Sequence, residues 1–381
     1  MRLYLLALNP TDSVADGFLP AAARLGLEVT VLTDQPESYP GLDVLACDVR
    51  DFRAVVSAVS GHHRPDGIFT NSDHLQVQAA LAADYFGLPG KDWRAALRCK
   101  DKAEMRRWLG DVWSVEISAP VALDAPYPCV LKPREGVASE DVVLVGGPEE
   151  LVARAGEIFA RRPGSVLVVE EYLPGELYTL ETLGDGHVRH VLGGFHTEVS
   201  APPVFIEERM TFVPEHPAPV VGQVLAQLDA LGVGFGICHT EFVVHEGRAR
   251  IIEVNYRAIG DQCDLLLARL LDIPLFEHVL QVHLGQALPA DLGARRDGAA
   301  RLDYPCADRA GTLVSAPPAT DLDVDGVRLT YRPLRETGST HPLYRTNRDY
   351  LGVLRATGTD QETVDKAAAA FLAERRWEIQ P

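Results

Sequence analysis

No run of apolar residues in this sequence approaches the roughly 20 needed to cross a bilayer as a helix. The apolar start, MRLYLLALNP, is broken by Asn9 and Pro10, with no small-residue cleavage site after it. It reads as a buried first strand rather than a secretory signal. Paired cysteines are missing as well. The six present, Cys47, Cys99, Cys129, Cys238, Cys263 and Cys306, make no CxxC pair and no zinc-knuckle spacing. A chain of 381 residues buries a core without disulfide staples, so reduced thiols in a cytoplasmic protein are the expectation. Basic residues are scarce: 36 Lys and Arg against 54 Asp and Glu give a formal net charge of -18. That excludes a general nucleic-acid or anionic-membrane surface, since both need excess cations. The glycine fingerprint of a dinucleotide fold is absent, because NPTDSVADG rather than GxGxxG follows the first strand. There is no internal repeat and no low-complexity segment.

The composition that remains, 46% hydrophobic and 24% charged, is that of a globular enzyme of two or three domains, at about 150 residues per domain. Over residues 1–95, strand and helix signals alternate. RLYLLAL, EVTVLT and GIFTN read as strands; VADGFLPAAARLG, FRAVVSAVSGH and DHLQVQAALAADYFG read as helices. Such alternation predicts a parallel sheet covered on both faces. Beyond it come a helix near Lys102, two strands around LKPREGVASEDVVLV, a helix over 149–160, and the strands VLVVEEYL and ELYTLETL. The proline-rich stretch 196–219 reads as irregular. A helix over 220–231 precedes the strands HTEFVVHEG and RARIIEVN, with Glu246-Gly247 as a hairpin turn. A helix over 262–271 follows, then short strands and a final helix, ETVDKAAAAFLAERR.

Four local patterns carry chemistry. In CKDKAEMRRWL, Lys102 and Arg106 stand four apart and share a helix face; alone, this reads as a solvated basic face. In VLKPREGVAS, an apolar strand delivers Lys132 to a loop with Gly136 and Ser139. The loop is either a phosphate cradle, with Lys132 as point charge and Ser139 as donor, or a connection after an exposed strand-end lysine. In VVEEYLPGELYTLETL, an apolar strand runs into two acids and a turn. Alone, that is a hairpin with solvated acids; it is also a segment whose main chain can read an adenine edge. The fourth pattern, HTEFVV then RIIEVNYR, is the most specific. Glu241 and Glu253 stand in apolar strands joined by the turn at 246–247 and become cross-strand neighbours, while Asn255 shares the face of Glu253. Two carboxylates so placed repel unless a cation lies between them, and with an amide oxygen they suit Mg²⁺. One of the pair is expected to have a raised pKa. Arg257 on the same face can neutralise a transferring phosphoryl group. Cys238 and His239 read as structural.

Together these motifs resemble the ATP-grasp superfamily, in particular the carboxylate–amine ligases that include D-alanine–D-alanine ligase, carnosine synthase and L-amino acid ligases. The resemblance spans essentially the whole chain. It implies an α/β fold: an N-terminal parallel-sheet domain at 1–95, a bipartite ATP-grasp core at 96–290 (small lobe to about 170, large lobe from 171), and a C-terminal α+β lobe at 291–381. It implies ATP and Mg²⁺ as cofactors, with Mn²⁺ as a substitute. Lys102, Lys132 and Ser139 would contact phosphates, and Glu170, Glu171, Tyr172 and Leu173 would hold adenine. Glu241, Glu253 and Asn255 would bind the metal, and Arg257 and Lys132 would act on the transferring group. Three departures stand out. Asp141 replaces the last glycine of the phosphate loop. The ribose-binding acid would stand at Leu177, whereas Glu176 is one place early and so on the opposite strand face. Tyr256 replaces the proline of ExNPR, a variant that points to a subgroup in specialised metabolism such as siderophore assembly.

The implied reaction is amide formation through an acyl phosphate, with a small-molecule carboxylate and amine as substrates, no nucleic acid or membrane partner, and room for a homodimer. A non-catalytic ATP-binding module and a carboxylating or purine-pathway ATP-grasp enzyme are the alternatives. Candidate substrate walls are residues 71–74, 205–210 and 260–262. The acids Glu207, Glu208 and Asp261 could hold an ammonium there; for Glu207 and Glu208 the solvated reading is preferred.

Overall fold

The strongly apolar strands near the N-terminus must be covered on both faces, and they are. In the computed structural model, which describes residues 1–381, β1 (Arg2–Leu6), β2 (Glu28–Thr33), β3 (Asp43–Ala46) and β4 (Gly67–Phe69) form a parallel sheet of order β3-β2-β1-β4. A π-helical turn at Ser13–Phe18 leads into α1 (Leu19–Arg24). Helices α2 (Phe52–Ser60), α3 (Gln76–Tyr85) and α4 (Trp93–Lys100) complete this part. Alternate residues of β1 face opposite cores: Leu3 and Leu5 one way, Tyr4 and Leu6 the other.

The next unit has its own core. Helix α5 (Lys102–Leu109) precedes a four-stranded antiparallel sheet of order β5-β8-β6-β7, built from β5 (Ser114–Ile117), β6 (Cys129–Pro133), β7 (Val143–Val145) and β8 (Leu167–Glu171). Helix α6 (Pro148–Arg161) covers it, and Leu131, Leu151, Ile158 and Val169 pack between them.

The largest sheet has nine strands in the order β13-β12-β9-β10-β11-β14-β19-β17-β16. Its members are β9 (Glu176–Asp185), β10 (Arg189–Val199), β11 (Glu207–Val213), β12 (Phe235–His245), β13 (Arg248–Asn255), β14 (Ala299–Asp303), β16 (Thr320–Val324), β17 (Val327–Pro333) and β19 (Gly352–Gly358). Strands β15 (Gly311–Ser315), β18 (Thr340–His341) and β20 (Glu378–Gln380) make a separate three-stranded sheet. Helices α7 (Ala218–Leu231), α8 (Cys263–Leu271), α9 (Leu275–His283) and α10 (Gln361–Ala373) pack on these sheets. One core runs from the N-terminal sheet into the large one: Leu3, Leu5, Phe18 and Phe69 belong to the same cluster as Leu183, Phe195, Phe276 and Leu302.

Two features differ from the sequence reading. The stretch 196–219, read as irregular, contains the end of β10 and all of β11. Met210 and Phe212 alternate inward along β11, but the surrounding prolines mask that short period-two signal. The segment 291–381 also does not stand apart. Strand β14 pairs with β11, and β19, β17 and β16 extend the same sheet, although Leu329, Leu354 and Phe371 form a local core of their own. No helix is long and apolar enough to cross a membrane.

Candidate active site

A cleft of about 720 Å³ opens between the antiparallel small sheet, the large sheet and the end of the N-terminal sheet. Lys102, Lys132, Ser139, Glu170, Tyr172, Leu173, Glu241, Glu253, Asn255 and Arg257 all line it. Of the residues singled out from sequence, Glu171 and Glu176 do not. Glu171 pairs with Arg250 at 3.3 Å, and Glu176 is exposed and pairs with His196 at 2.9 Å. Leu177, next along β9, faces the cleft, as strand alternation requires.

The basic helix face is not solvated. Asp101 caps α5, accepting from the N–H groups of Ala103 and Glu104. That cap fixes a helix whose Lys102 and Arg106 both point inward, 4% and 1% exposed. Arg106 makes a two-pronged contact to Glu170, with Nε–Oε2 at 2.7 Å and Nη2–Oε1 at 3.1 Å, and donates to the Ile251 carbonyl at 2.7 Å. Lys132 reaches the same carboxylate from β6. Val130 is paired with Glu170 across the β6–β8 ladder, so Lys132 sits on the diagonal of the same face. Glu170 is thus a buried counter-ion rather than a side chain offered to a base. Burial opposes its charge, but Arg106 and Lys132 outweigh it and hold its pKa down at about 2. Lys132 is pushed the other way: burial, with Arg106 and Lys102 nearby, lowers its pKa despite Glu170. Lys132 and Glu170 line the cleft with Arg106 buried behind them, and two cations against one carboxylate favour an incoming anion.

The phosphate-loop candidate follows Lys132. Ala138, Ser139 and Asp141 hold φ values of 57°, 55° and 59°, the left-handed region, which costs a non-glycine residue about 1 kcal/mol or more. Asp141 is therefore in a glycine-like conformation. Its carboxylate is absent from the cleft lining and is neutralised by Arg161 and Arg162, both at 2.6 Å.

At the other wall, the Glu246-Gly247 turn has φ 49° and 75°, the twist that suits a two-residue hairpin. The hairpin pairs His245 with Arg248, and a register shift between Glu241 and Phe242 then sets Glu241 opposite Glu253; unbroken pairing would have put Ile252 there. The electrostatics differ from expectation. Glu241 is not raised by its neighbour. For Glu241, burial is outweighed by His239, Lys102 and Arg257, and its pKa is lowered. Lys102 donates to Glu253 at 2.8 Å, and Asn255 turns its amide nitrogen to Glu241 at 3.3 Å. No group of three or more His, Cys, Asp or Glu side chains is arranged to hold a metal ion. Two carboxylates and an amide oxygen are nonetheless hard donors that fit Mg²⁺ when phosphate oxygens and water complete the sphere. For that, the Asn255 amide must turn its oxygen inward.

His239, read as structural, lies in this wall. Its Nδ1 is 2.7 Å from Glu181 Oε1 and its Nε2 is 3.5 Å from Glu241 Oε1. Burial opposes its protonation, but Glu181 and Glu241 win and raise its pKa to about 10. The usable signal was spacing: His239 and Glu241 are two apart on one strand and share a face. Glu207 does not fit the solvated reading preferred from the sequence. It lines the cleft rather than facing solvent, with Asn347 clamping both its N–H and its carboxylate at 3.2 Å. Burial, then Glu241 and Asp261, push its pKa up to about 8. Glu208 is exposed, as read from the sequence. Asn71, Ser72, Asp73 and His74 line the cleft from the N-terminal side, beside Asp12, Ile259 and Asp261.

Residues 125–265 match the ATP-grasp domain family. Along its whole length it is 26% identical to the uncharacterized protein y4rH of Sinorhizobium fredii, covering 84% of that protein. Over 48% of its length it is 24% identical to the carbamoyl phosphate synthase large chain of Clostridium botulinum, of which the match spans only 17%. Among solved structures, the L-amino acid ligase of Bacillus licheniformis superposes with a TM-score of 0.83 at 20% identity, over 100% of this chain and 99% of that one. That likeness shows that the two chains share one fold from end to end.

Proposed function

We propose that the protein is an ATP- and Mg²⁺-dependent ligase that joins a small-molecule carboxylate to an amine through an acyl phosphate. The observation that carries this reading is the charge arrangement of the cleft. Lys132, backed by the buried Arg106–Glu170 pair, lines the same cleft as the Glu241–Glu253–Asn255 set, and residues 71–74 line it together with Arg257. The overall likeness to an L-amino acid ligase supports the same reaction type.

In this reading Lys132 and Lys102 hold phosphate oxygens, and the 136–139 loop lays Ser139 and backbone N–H groups along them. The N–H groups of Glu171 and Tyr172 already donate to the Trp113 and Pro128 carbonyls, so a base edge is read at Leu173, between the apolar Val130, Val243 and Ile252. Glu241, Glu253 and Asn255 hold Mg²⁺, which when bound neutralises charge on the phosphoryl group. A substrate carboxylate oxygen attacks the γ-phosphorus and ADP leaves, with Arg257 countering the charge on the transferring group. A neutral amine then attacks the acyl carbon, the C–O bond to phosphate breaks, and the proton lost by the nitrogen leaves with the phosphate. Catalysis is positioning and electrostatics, with no Ser or Cys nucleophile.

The test is a phosphate-release screen over paired carboxylates and amines with Mg²⁺ and ATP. Release that requires one member of each class is the expected result. Release driven by bicarbonate would instead assign the carboxylating reading, which the carbamoyl phosphate synthase likeness keeps in view. A cytoplasmic enzyme without nucleic-acid or membrane partners accords with the -18 net charge and the free cysteines.

A further inference from the structure

Lys91 lies just before α4, 7% exposed, with no carboxylate paired to it. A buried cation of this kind costs far more than a methionine of similar length would. Burial pushes its pKa down to about 7. Its bonds indicate what the cost secures. The ammonium donates to Gln76 Oε1 at 2.7 Å and to the backbone carbonyl of Tyr256, and it stands 4.3 Å from the centre of the Tyr256 ring. Gln76 in turn donates to the Thr70 and Ser72 carbonyls at 3.1 and 3.0 Å. Asn71 Oδ1 accepts from Ala258 N at 3.0 Å. The loop that walls the cleft from the N-terminal side is thus tied to the segment following β13.

Tyr256 is one of the three departures from the resembled pattern, and the same network explains it. Its hydroxyl accepts from the Gly234 and Phe235 N–H groups at 3.2 and 3.1 Å, fixing the start of β12. A proline in its place would offer neither ring nor hydroxyl. Gly236, at φ 74°, leaves the room this needs: a Cβ there would stand 3.0 Å from Lys91 Cε and 3.2 Å from His283 Nε2. Tyr256 lies between Asn255 and Arg257, so whatever fixes its carbonyl fixes the backbone direction of both neighbours.

We propose that Lys91 is a positioning residue: by pinning the Tyr256 carbonyl and, through Gln76, the Thr70–Asp73 loop, it holds Asn255 and Arg257 in register with the N-terminal wall of the cleft. This rests on the reading of Glu241, Glu253 and Asn255 as metal ligands. Groups that orient metal ligands from behind typically change metal affinity about ten- to a hundredfold when removed. A lysine that only supports the fold would change stability and leave the affinity of the folded protein unaltered.

The experiment uses Mn²⁺ with ADP as the probe, read by electron paramagnetic resonance on the full chain. The proteins are wild type, Lys91→Met, Gln76→Leu and Glu253→Gln, with urea denaturation in parallel to count folded molecules. Lys91→Met should bind Mn²⁺ roughly tenfold more weakly per folded molecule, and Gln76→Leu, which keeps the lysine but cuts its tether, should shift in the same direction. Wild-type Mn²⁺ affinity in folded Lys91→Met would overturn the proposal. Should that variant fail to fold, unchanged affinity in Gln76→Leu overturns it equally. Equal Mn²⁺ binding by wild type and Glu253→Gln would remove the metal reading itself, and the role of Lys91 with it.

Discussion

Replacing Glu170 by glutamine removes the only carboxylate between Arg106 and Lys132 while keeping its shape. Both cations are almost wholly buried, their side chains 0% and 3% exposed. Leaving a buried charge without its partner costs about 3–5 kcal/mol. A second route to the magnitude is the lowering of the Glu170 pKa from 4.5 to about 2, which corresponds to roughly 3 kcal/mol at neutral pH. The direction with pH follows. Between about 2 and 4.5 the unfolded chain binds the proton and the folded one does not, so stability rises with pH there. The contribution is complete above 4.5 and is lost as pH falls toward 2. Urea denaturation at pH 7 should therefore show Glu170→Gln less stable by roughly 3 kcal/mol with an unchanged slope. The gap to wild type should persist down to about pH 5 and narrow below it. A loss under about 1 kcal/mol at pH 7 would mean that Glu170 is not the buried counter-ion described.

Lys132→Met should weaken ADP binding about ten- to a hundredfold by calorimetry, the worth of one charge-assisted phosphate contact; unchanged affinity would remove Lys132 from the site. The His239 imidazole, raised to about 10, should still be protonated at pH 8 by nuclear magnetic resonance, and Glu181→Gln should move its titration down toward 6.5; its stabilising contribution is complete below 6.5 and lost as pH rises through 10. Asp141→Gly should change stability by less than about 1 kcal/mol in urea, because relief of the left-handed backbone offsets the loss of two partly exposed ion pairs.

Much of the architecture was legible because it rests on local periodicity. The strand–helix alternation of residues 1–95 gives the parallel sheet, and the Glu246-Gly247 turn gives the β12–β13 hairpin, although the register shift that brings Glu253 opposite Glu241 left no mark in the spacing. What escaped depends on contacts distant in sequence. Lys102 and Arg106 look solvated in isolation, because Glu170, the partner of Arg106, lies 64 residues away, and Glu253, the partner of Lys102, lies 151 away. The expected raised pKa fails at Glu241 for the same reason: Lys102, His239 and Arg257 reach it from three directions, and the cleft carboxyls that burial raises are Glu207 and Asp261 instead. The departures were legible as departures but not in their consequences. Asp141 turns its charge onto Arg161 and Arg162, and Tyr256 serves a buried lysine that no motif marks.

The central claim is that a substrate carboxylate is phosphorylated and then transferred to an amine. For a carboxylate–amine pair that supports turnover, the carboxylate can be labelled with heavy oxygen and the released phosphate analysed by mass spectrometry. The account predicts one heavy oxygen in each phosphate, transferred through the acyl phosphate, together with the amide product, and the loss of both with Glu253→Gln. Unlabelled phosphate, or release that needs bicarbonate and no amine, would contradict it.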